Sequence, residues 1–354
     1  MANRVFFACH QGGFATMGSQ TFTAAHGLQS IGVTTTFNLQ QVFEIGQLEI
    51  YENIEDIPQI EVTLEKVNDG YPTLWHLATR GRASNSITGC SNVQTIFGLS
   101  IFSDLQDSAS GTPTAVMQCS GLYPSATNWN FPLDGNFTES LTLVGNNKTW
   151  DTVAGFAFSG AFDNTDSPLA LSSGLGGVQR RQDMIFDYVG GSTALDVNGA
   201  VQTSSGTILP PDIPGISSSG TNNRDVNGNF GAHIGNISVS ANLGRDQILE
   251  QGRKGPYFRY VTFPLEVSCE VTIVSILGDG VQGTEAGILG NGDNLSNRSI
   301  VINTHDGLRL DLGKKMKLLS ASMTGGDTGG GNQEVTYSFQ GFNTLTITHP
   351  QAPA

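Results

Sequence analysis

The chain has 354 residues, enough for two ordinary domains, and only 14% of them are charged, against about 25% in an average globular protein. Its 31 carboxylates outnumber 17 lysines and arginines for a net charge of −14, a sign that repels phosphate backbones and argues against ordinary nucleic-acid binding. VFFAC (5–9) is too short for a secretory core and no run approaches the ~20 apolar residues of a membrane helix, so neither export nor membrane insertion is expected.

In chain order, residues 1–30 read as a Gly-rich N-terminal arm that orders on contact with a neighbouring copy. Residues 31–198 form the first expected domain. Within it NLQQVFEIG (38–46) is a candidate helix capped by Asn38, and IEVTLEKV (60–67) alternates apolar and polar as a half-buried strand does. YPTLWHLATRG (71–81) reads as a short helix with Pro72 early and Gly81 as its stop. Residues 199–233 are rich in Gly, Ser, Pro and Asn without apolar periodicity, and read as a linker. Residues 234–354 form the second domain, where 299–312, EVTYSFQ (334–340) and TLTITH (344–349) alternate again, punctuated by Gly-Asp and Asp-Gly turns. The fold class expected is mainly β, antiparallel, with short helices. The four cysteines (Cys9, Cys90, Cys119, Cys269) lack CxxC spacing and read as reduced thiols, and the NFT sequon at 136 then carries no meaning.

The two domains repeat one another. At a constant offset of 206, Ile31, Val33, Gln41, Glu44, Gly46, Tyr51 and Pro58 recur as Ile237, Val239, Gln247, Glu250, Gly252, Tyr257 and Pro264. Further on, EVTLE (61–65) answers EVSCE (266–270), Asp69-Gly70 answers Asp279-Gly280, and GNFTESLTLVG (135–145) answers GNQEVTYSFQG (331–341). Matches in one order at beginning, middle and end describe a duplicated unit.

No catalytic constellation emerges. The six histidines (His10, His26, His76, His233, His305, His349) show no paired-ligand spacing. GGDTGGGN (325–332) lacks the Gly-Lys-Ser/Thr ending of a phosphate loop, and DVNGN (225–229) lacks the turn glycine and distal glutamate of a calcium loop. RRQD (180–183) is a basic pair suited to a solvated surface or an acidic neighbour. A glycosidase carboxylate pair has no motif to single it out. An enzyme is therefore not expected, nor a metal or cofactor.

VFEIGQLEIYENIEDIPQIEVTLEKVNDGYPTLWHLAT (42–79) resembles the N-terminal part of the tail tube proteins of long-tailed bacteriophages, and CSGLYPSATNWNFPLDGNFTESLTLVGNNKTW (119–150) resembles the strand pair closing their single domain. The second half, with FPLEVSCEVTIVS, GLRLDLG and GGGNQEVTYSFQGFNTLTITH, looks like another version of that domain. The resemblance implies packed β-sheets whose inner strands join, ring by ring, into a hollow tube that conducts DNA from capsid to host. It implies a virion tail location after assembly in the host cytoplasm. The implied partners are further copies of the chain and other tail proteins (tape measure, terminator, baseplate or tip), with genomic DNA passing through unbound and no membrane. A duplicated chain would form a ring from three copies, six domains in all. A baseplate hub of the same fold is the nearest alternative. A carbohydrate-binding or hydrolytic tail-spike module is another, but the three tryptophans (Trp75, Trp129, Trp150) do not cluster with carboxylates as that would require.

Strand alternation sets Glu61, Thr63 and Glu65 on one face and Ile60, Val62 and Leu64 on the other; Glu266, Ser268 and Glu270 oppose Val267, Cys269 and Val271 in the same way. Glu61, Glu65, Glu266 and Glu270 are the expected lumen residues. A solvated outer face is the competing expectation.

Overall fold

The computed structural model describes residues 9–17, 21–46, 48–79, 84–90, 92–102, 113–151, 157–159, 177–185, 194–195, 201–202, 207–210, 213, 233–253, 255–275, 299–325 and 333–350. The first half holds β1 (Cys9–Thr16), β2 (Thr21–Ala24), β3 (Leu28–Thr36), β4 (Leu39–Phe43), β5 (Ile50–Glu55), β6 (Gln59–Val67), α1 (Leu74–Thr79), β7 (Ser84–Ser86), β8 (Thr95–Phe102), β9 (Ala115–Phe131), β10 (Thr138–Gly145), β11 (Asn147–Asp151) and β12 (Ala157–Ser159). After a 3-10 turn at Arg181–Asp183 come the short β13 (Ala194–Leu195) and β14 (Val201–Gln202). The second half holds β15 (His233–Asn242), β16 (Arg245–Ile248), β17 (Phe258–Val261), β18 (Glu266–Ser275), β19 (Val301–Asn303), β20 (Arg309–Asp311), β21 (Lys317–Thr324), β22 (Gln333–Phe342) and β23 (Thr346–Thr348). The chain is mainly β, as its period of two predicts.

One continuous antiparallel path organises both halves: β3-β6-β10-β9 from the first, then β15-β18-β22-β21 from the second. The two blocks of four occupy equivalent places in the same order, so the duplication read in sequence is a duplication of sheet. The blocks join where β9 pairs with β15, from Phe131↔Ile237 to Ala126↔Asn242.

Two smaller layers cover the inner face of this path. Strand β9 is 17 residues long and belongs to both layers of the first half. Its C-terminal part pairs with β10 and β15, whereas its N-terminal part pairs with β8 and β11 in the covering sheet β12-β2-β1-β8-β9. Over the second half lies β19-β20-β23-β7, whose last strand comes from the first half. Between layers, Ile60, Val62, Leu64, Trp129, Leu141, Val239, Val267, Val271 and Tyr337 form one apolar core shared by both halves. Each fully buried aliphatic side chain of this kind contributes ~1.5–3 kcal/mol.

Three sequence expectations need correction. The candidate helix 38–46 is a hairpin: β4 pairs with β5, Leu39 opposite Glu55. Its apolar residues look helically spaced, but Leu39 and Phe43 are exposed, and the β-favouring Ile50, Tyr51 and Ile54 supply a strand partner once Gly46 turns the chain at φ 94°. The N-terminal arm is not an arm from residue 9 onward, because β1 pairs with β8 along its length within the same chain. Its glycines serve packing: a Cβ at Gly12 would touch Leu28 and Phe97 at 3.0 Å, and Phe14 meets Phe97 edge-on at 5.5 Å. Part of the expected linker is also built in, since Ile208 bridges Val301, and Leu209 and Ile213 are buried.

Helix α1 matches the expected 71–81 segment in its centre; Gly81 lies outside the described residues. Thr73 caps it through His76 N–H to Oγ1 at 3.2 Å, and the Glu139 carboxylate accepts the Leu74 and Trp75 N–H groups at 2.8 and 3.0 Å.

Candidate functional site

The polar face of the eight-strand path is the most extended feature on which the sequence candidates converge. Alternation in β6 buries Ile60, Val62 and Leu64 and exposes Glu61, Thr63 and Glu65. In β18 Val267, Cys269 and Val271 are buried while Glu266 and Glu270 are exposed. All four glutamates therefore stand on the same side of one sheet. Ladder neighbours of two of them are neutral, Glu65 being flanked by Ser30 and Ser140 and Glu270 by Ser238 and Ser338, while Lys317 and Glu334 also stand on this face. Gln340 Nε2 donates to Glu266 Oε1 at 2.6 Å. Where the blocks meet, Asn128, Asn130, Ser140, Ser240 and Glu270 line a shallow depression of about 470 Å³.

The two Glu stripes are not ladder equivalents. Thr34 faces Glu61 in the first block, while its counterpart Ser240 faces Ser268 in the second. Strand β18 is thus shifted by two residues against the sequence match, and Glu266 and Glu270 straddle the level that Glu61 would occupy. The sequence match, which needs a one-residue deletion after Pro58, could not reveal this, because a two-residue shift preserves the face.

Two further surfaces accompany this face. Strands β3 and β21 end the path and have no neighbour on their outer sides among the described strands. Two hairpins, β4–β5 and β16–β17, follow the first strand of each block. The repeated Gly46 and Gly252 are their turn glycines, at φ 94° and 84°, a left-handed conformation that glycine adopts without strain. Phe43, Ile45, Leu48 and Tyr51 on one hairpin and Leu249, Tyr257 and Phe258 on the other are exposed. Their roots differ. Arg245 donates to Pro124 O at 2.7 Å and Arg259 to Asn146 Oδ1 at 3.0 Å, tying the second hairpin to the first half. The corresponding residues of the first hairpin are Leu39 and Asn53.

Among the described residues the histidines and cysteines do not form a site. His76 and His349 are buried near each other, ring centroids 6.2 Å apart; burial takes His76 down to about 4 and lowers His349 well below its usual value. Burial pushes the thiols of Cys119 and Cys269 up to about 11 and about 12, as inert core groups. Arg180 donates to Asn136 Oδ1 at 3.0 Å, and the exposed Arg181 lies 3.8 Å from Asp134, so RRQD is a local surface pair. Trp75 and Trp129 are core residues and Trp150 is exposed. DVNGN and residues 326–332 of the glycine loop lie outside the described residues. Among the described residues no group of three or more His, Cys, Asp or Glu could hold a metal ion.

Sequence reading missed a buried charged cluster. Lys66 pairs with Asp69 and donates to His26 O at 2.7 Å, and it stands across the ladder from the fully buried Glu139. Burial raises Glu139 to about 7, against the pull of two backbone N–H groups and Lys66. The signal was present: Lys66 and Glu139 interrupt the inward, apolar positions of their strands.

No family model and no curated protein matches the sequence. Among solved structures, the chain is similar to a chain of the anti-feeding prophage baseplate, a six-fold symmetrised cryo-EM structure, with a TM-score of 0.33 and 13% identity, covering 43% of this chain and 99% of that one.

Proposed function

We propose that this chain is a passive, non-enzymatic building block of the hollow tail tube of a long-tailed bacteriophage, located in the virion tail and assembled in the host cytoplasm. The observation that carries the reading is the eight-strand path itself: two equivalent blocks already joined edge to edge, with an edge at each end that no described strand pairs, and one polar, acidic face. An open edge exposes unpaired backbone groups, and closing a ring of copies pairs them all. Three copies would place 24 strands in the wall, about 45 Å across between opposing backbones at ~4.8 Å strand spacing and a tilt near 36°. The face bearing Glu61, Glu65, Glu266 and Glu270 would line the bore. A like-charged wall gives DNA no counterion-release binding and so no trap during passage.

The hairpins support stacking. Four antiparallel steps separate β3 from β15, so both run the same way and both hairpins leave the same rim of the sheet. A closed ring would carry six apolar hairpins on one rim, a surface suited to the next ring, the tail terminator or the baseplate. Electron microscopy of the purified chain tests the reading: long hollow tubes, with three copies per ring by mass, are expected. Six copies per ring would reject the domain-for-subunit replacement. Isolated rings that never stack would favour a baseplate hub, and a persistent monomer would overturn the reading altogether.

A further inference from the structure

The joint between β9 and β15 specifies how two chains should meet. Block equivalence follows the ladders: Val33 corresponds to Val239 through the first strands. Stepping across the second and third strands, Trp129 of β9 corresponds to Met323 of β21. In the internal joint Trp129 faces Val239 and Asn128 faces Ser240. Carried to the open edges, the same pairing sets Met323 opposite Val33, Ser322 opposite Thr34 and Ser320 opposite Thr36.

We infer that β21 of one copy adds antiparallel to β3 of a second copy in this one register, with Met323 meeting the apolar wall of the groove beside β3. The inference rests on the ring-forming role proposed above and adds the contact that closes it. The groove measures about 670 Å³; Leu28, Ile31, Val33, Leu99, Met117 and Trp150 form its apolar wall, and His10, Gln11, Gln29 and Ser30 also line it. Trp150 is 58% exposed on its wall, and Met323 and Leu319 are 55% and 67% exposed on β21. At the joint already made within the chain, the counterparts Trp129 and Val239 are both fully buried. The occupant is a second copy because the chain itself displays the finished version of the contact, and the new ladder would simply continue the sheet.

The register also fixes how the sheet winds. Ser30 lies level with Glu65, Ser140, Asn128 and then Ser240, whereas the second-block counterpart of Ser30 is Asn236. The ladder therefore climbs four residues in crossing four strands. Repeated through every joint, strand number and shear stay equal, and the strands of the closed barrel lean about 36° whatever the number of copies.

Paired cysteines in the full-length chain test the register. Directly opposed Cα atoms lie about 4.5–5.5 Å apart, within disulfide reach, while a two-residue diagonal is about 7–8 Å. Oxidation of assembled S322C/T34C should link copies into a covalent ring with no free ends, and S322C/T36C should remain unlinked. Rings that link through S322C/T36C, through both pairs or through neither overturn the register while leaving the tube reading intact; absence of rings at every concentration overturns both. Strand tilt in the assembled unmodified chain is a second measurement, and a value far from about 36° overturns the inference independently.

Discussion

Trp129 of β9 stands directly across the ladder from Val239 of β15, and both side chains are completely buried. This contact joins two equivalent four-strand blocks into one sheet, and it gives the core of each half a shared wall. Trp129→Ala should cost the unassembled chain ~3–5 kcal/mol in denaturant unfolding, the range for deleting a buried aromatic ring. Met323→Ala, at the equivalent but exposed position, should leave that stability within about 0.5 kcal/mol and raise the concentration needed for assembly. Equal destabilisation by the two changes would show that β21 is already packed in the single chain.

The buried Glu139 makes stability depend on pH in a defined direction. Its native pKa is raised to about 7 by burial, from a usual value of 4.5, so the folded state holds the proton more tightly. Its contribution is complete below about pH 4.5 and is lost as pH rises through 7. His76, taken down to about 4 by burial, acts oppositely and loses its contribution as pH falls from 6.5 through 4. The stability difference between wild type and Glu139→Gln should therefore shrink by roughly 3 kcal/mol at most between pH 5 and pH 8. A difference that stays constant with pH would contradict a raised carboxyl.

Gly98 lies beneath the fully buried ring of Phe22, and a Cβ there would approach Cε1 to 2.6 Å. Gly98→Ala should destabilise by about 1–3 kcal/mol through overpacking. Combining it with Phe22→Leu should recover part of that loss in the same thermal-unfolding measurement; a simple sum of the two penalties would reject the steric explanation.

The hairpin tips are expected to act between rings and not within the fold. Phe43 and Leu249, counterparts in the repeat, are 61% and 62% exposed. Phe43→Ser with Leu249→Ser should leave chain stability nearly unchanged, preserve single rings and abolish long tubes under electron microscopy. Normal tube lengths would remove the hairpins from the stacking contact.

Lysine at positions 61, 65, 266 and 270 should be tolerated by the fold, because all four native glutamates are exposed. In assembled tails the changed wall would attract DNA and slow its release, most strongly at low salt. Release kinetics that match wild type at low salt would count against a DNA-lining face.

What the sequence determined by itself is local. Alternation in IEVTLEKV and EVSCEV decides which side chains face the core, since successive residues of a strand point to opposite sides. The repeated glycines decide where both hairpins turn, because their conformation is nearly closed to other residues. The order of the matches follows the same order of strands in the two blocks. Tertiary structure decided the rest. It turned 38–46 from an apparent helix into a strand, because a partner strand beginning at Ile50 satisfies its backbone. It converted Gly-rich residues 9–16 into a packed strand, because Phe97 and Phe22 need the space that the glycines of β1 and β8 leave. It staggered the two Glu stripes by two residues, a change that alternation cannot register because it leaves every side chain on its own face. The joint at Trp129 and Val239 is long-range in the same sense. Nothing in either segment alone names its neighbour, and the pairing follows only once both halves share one core.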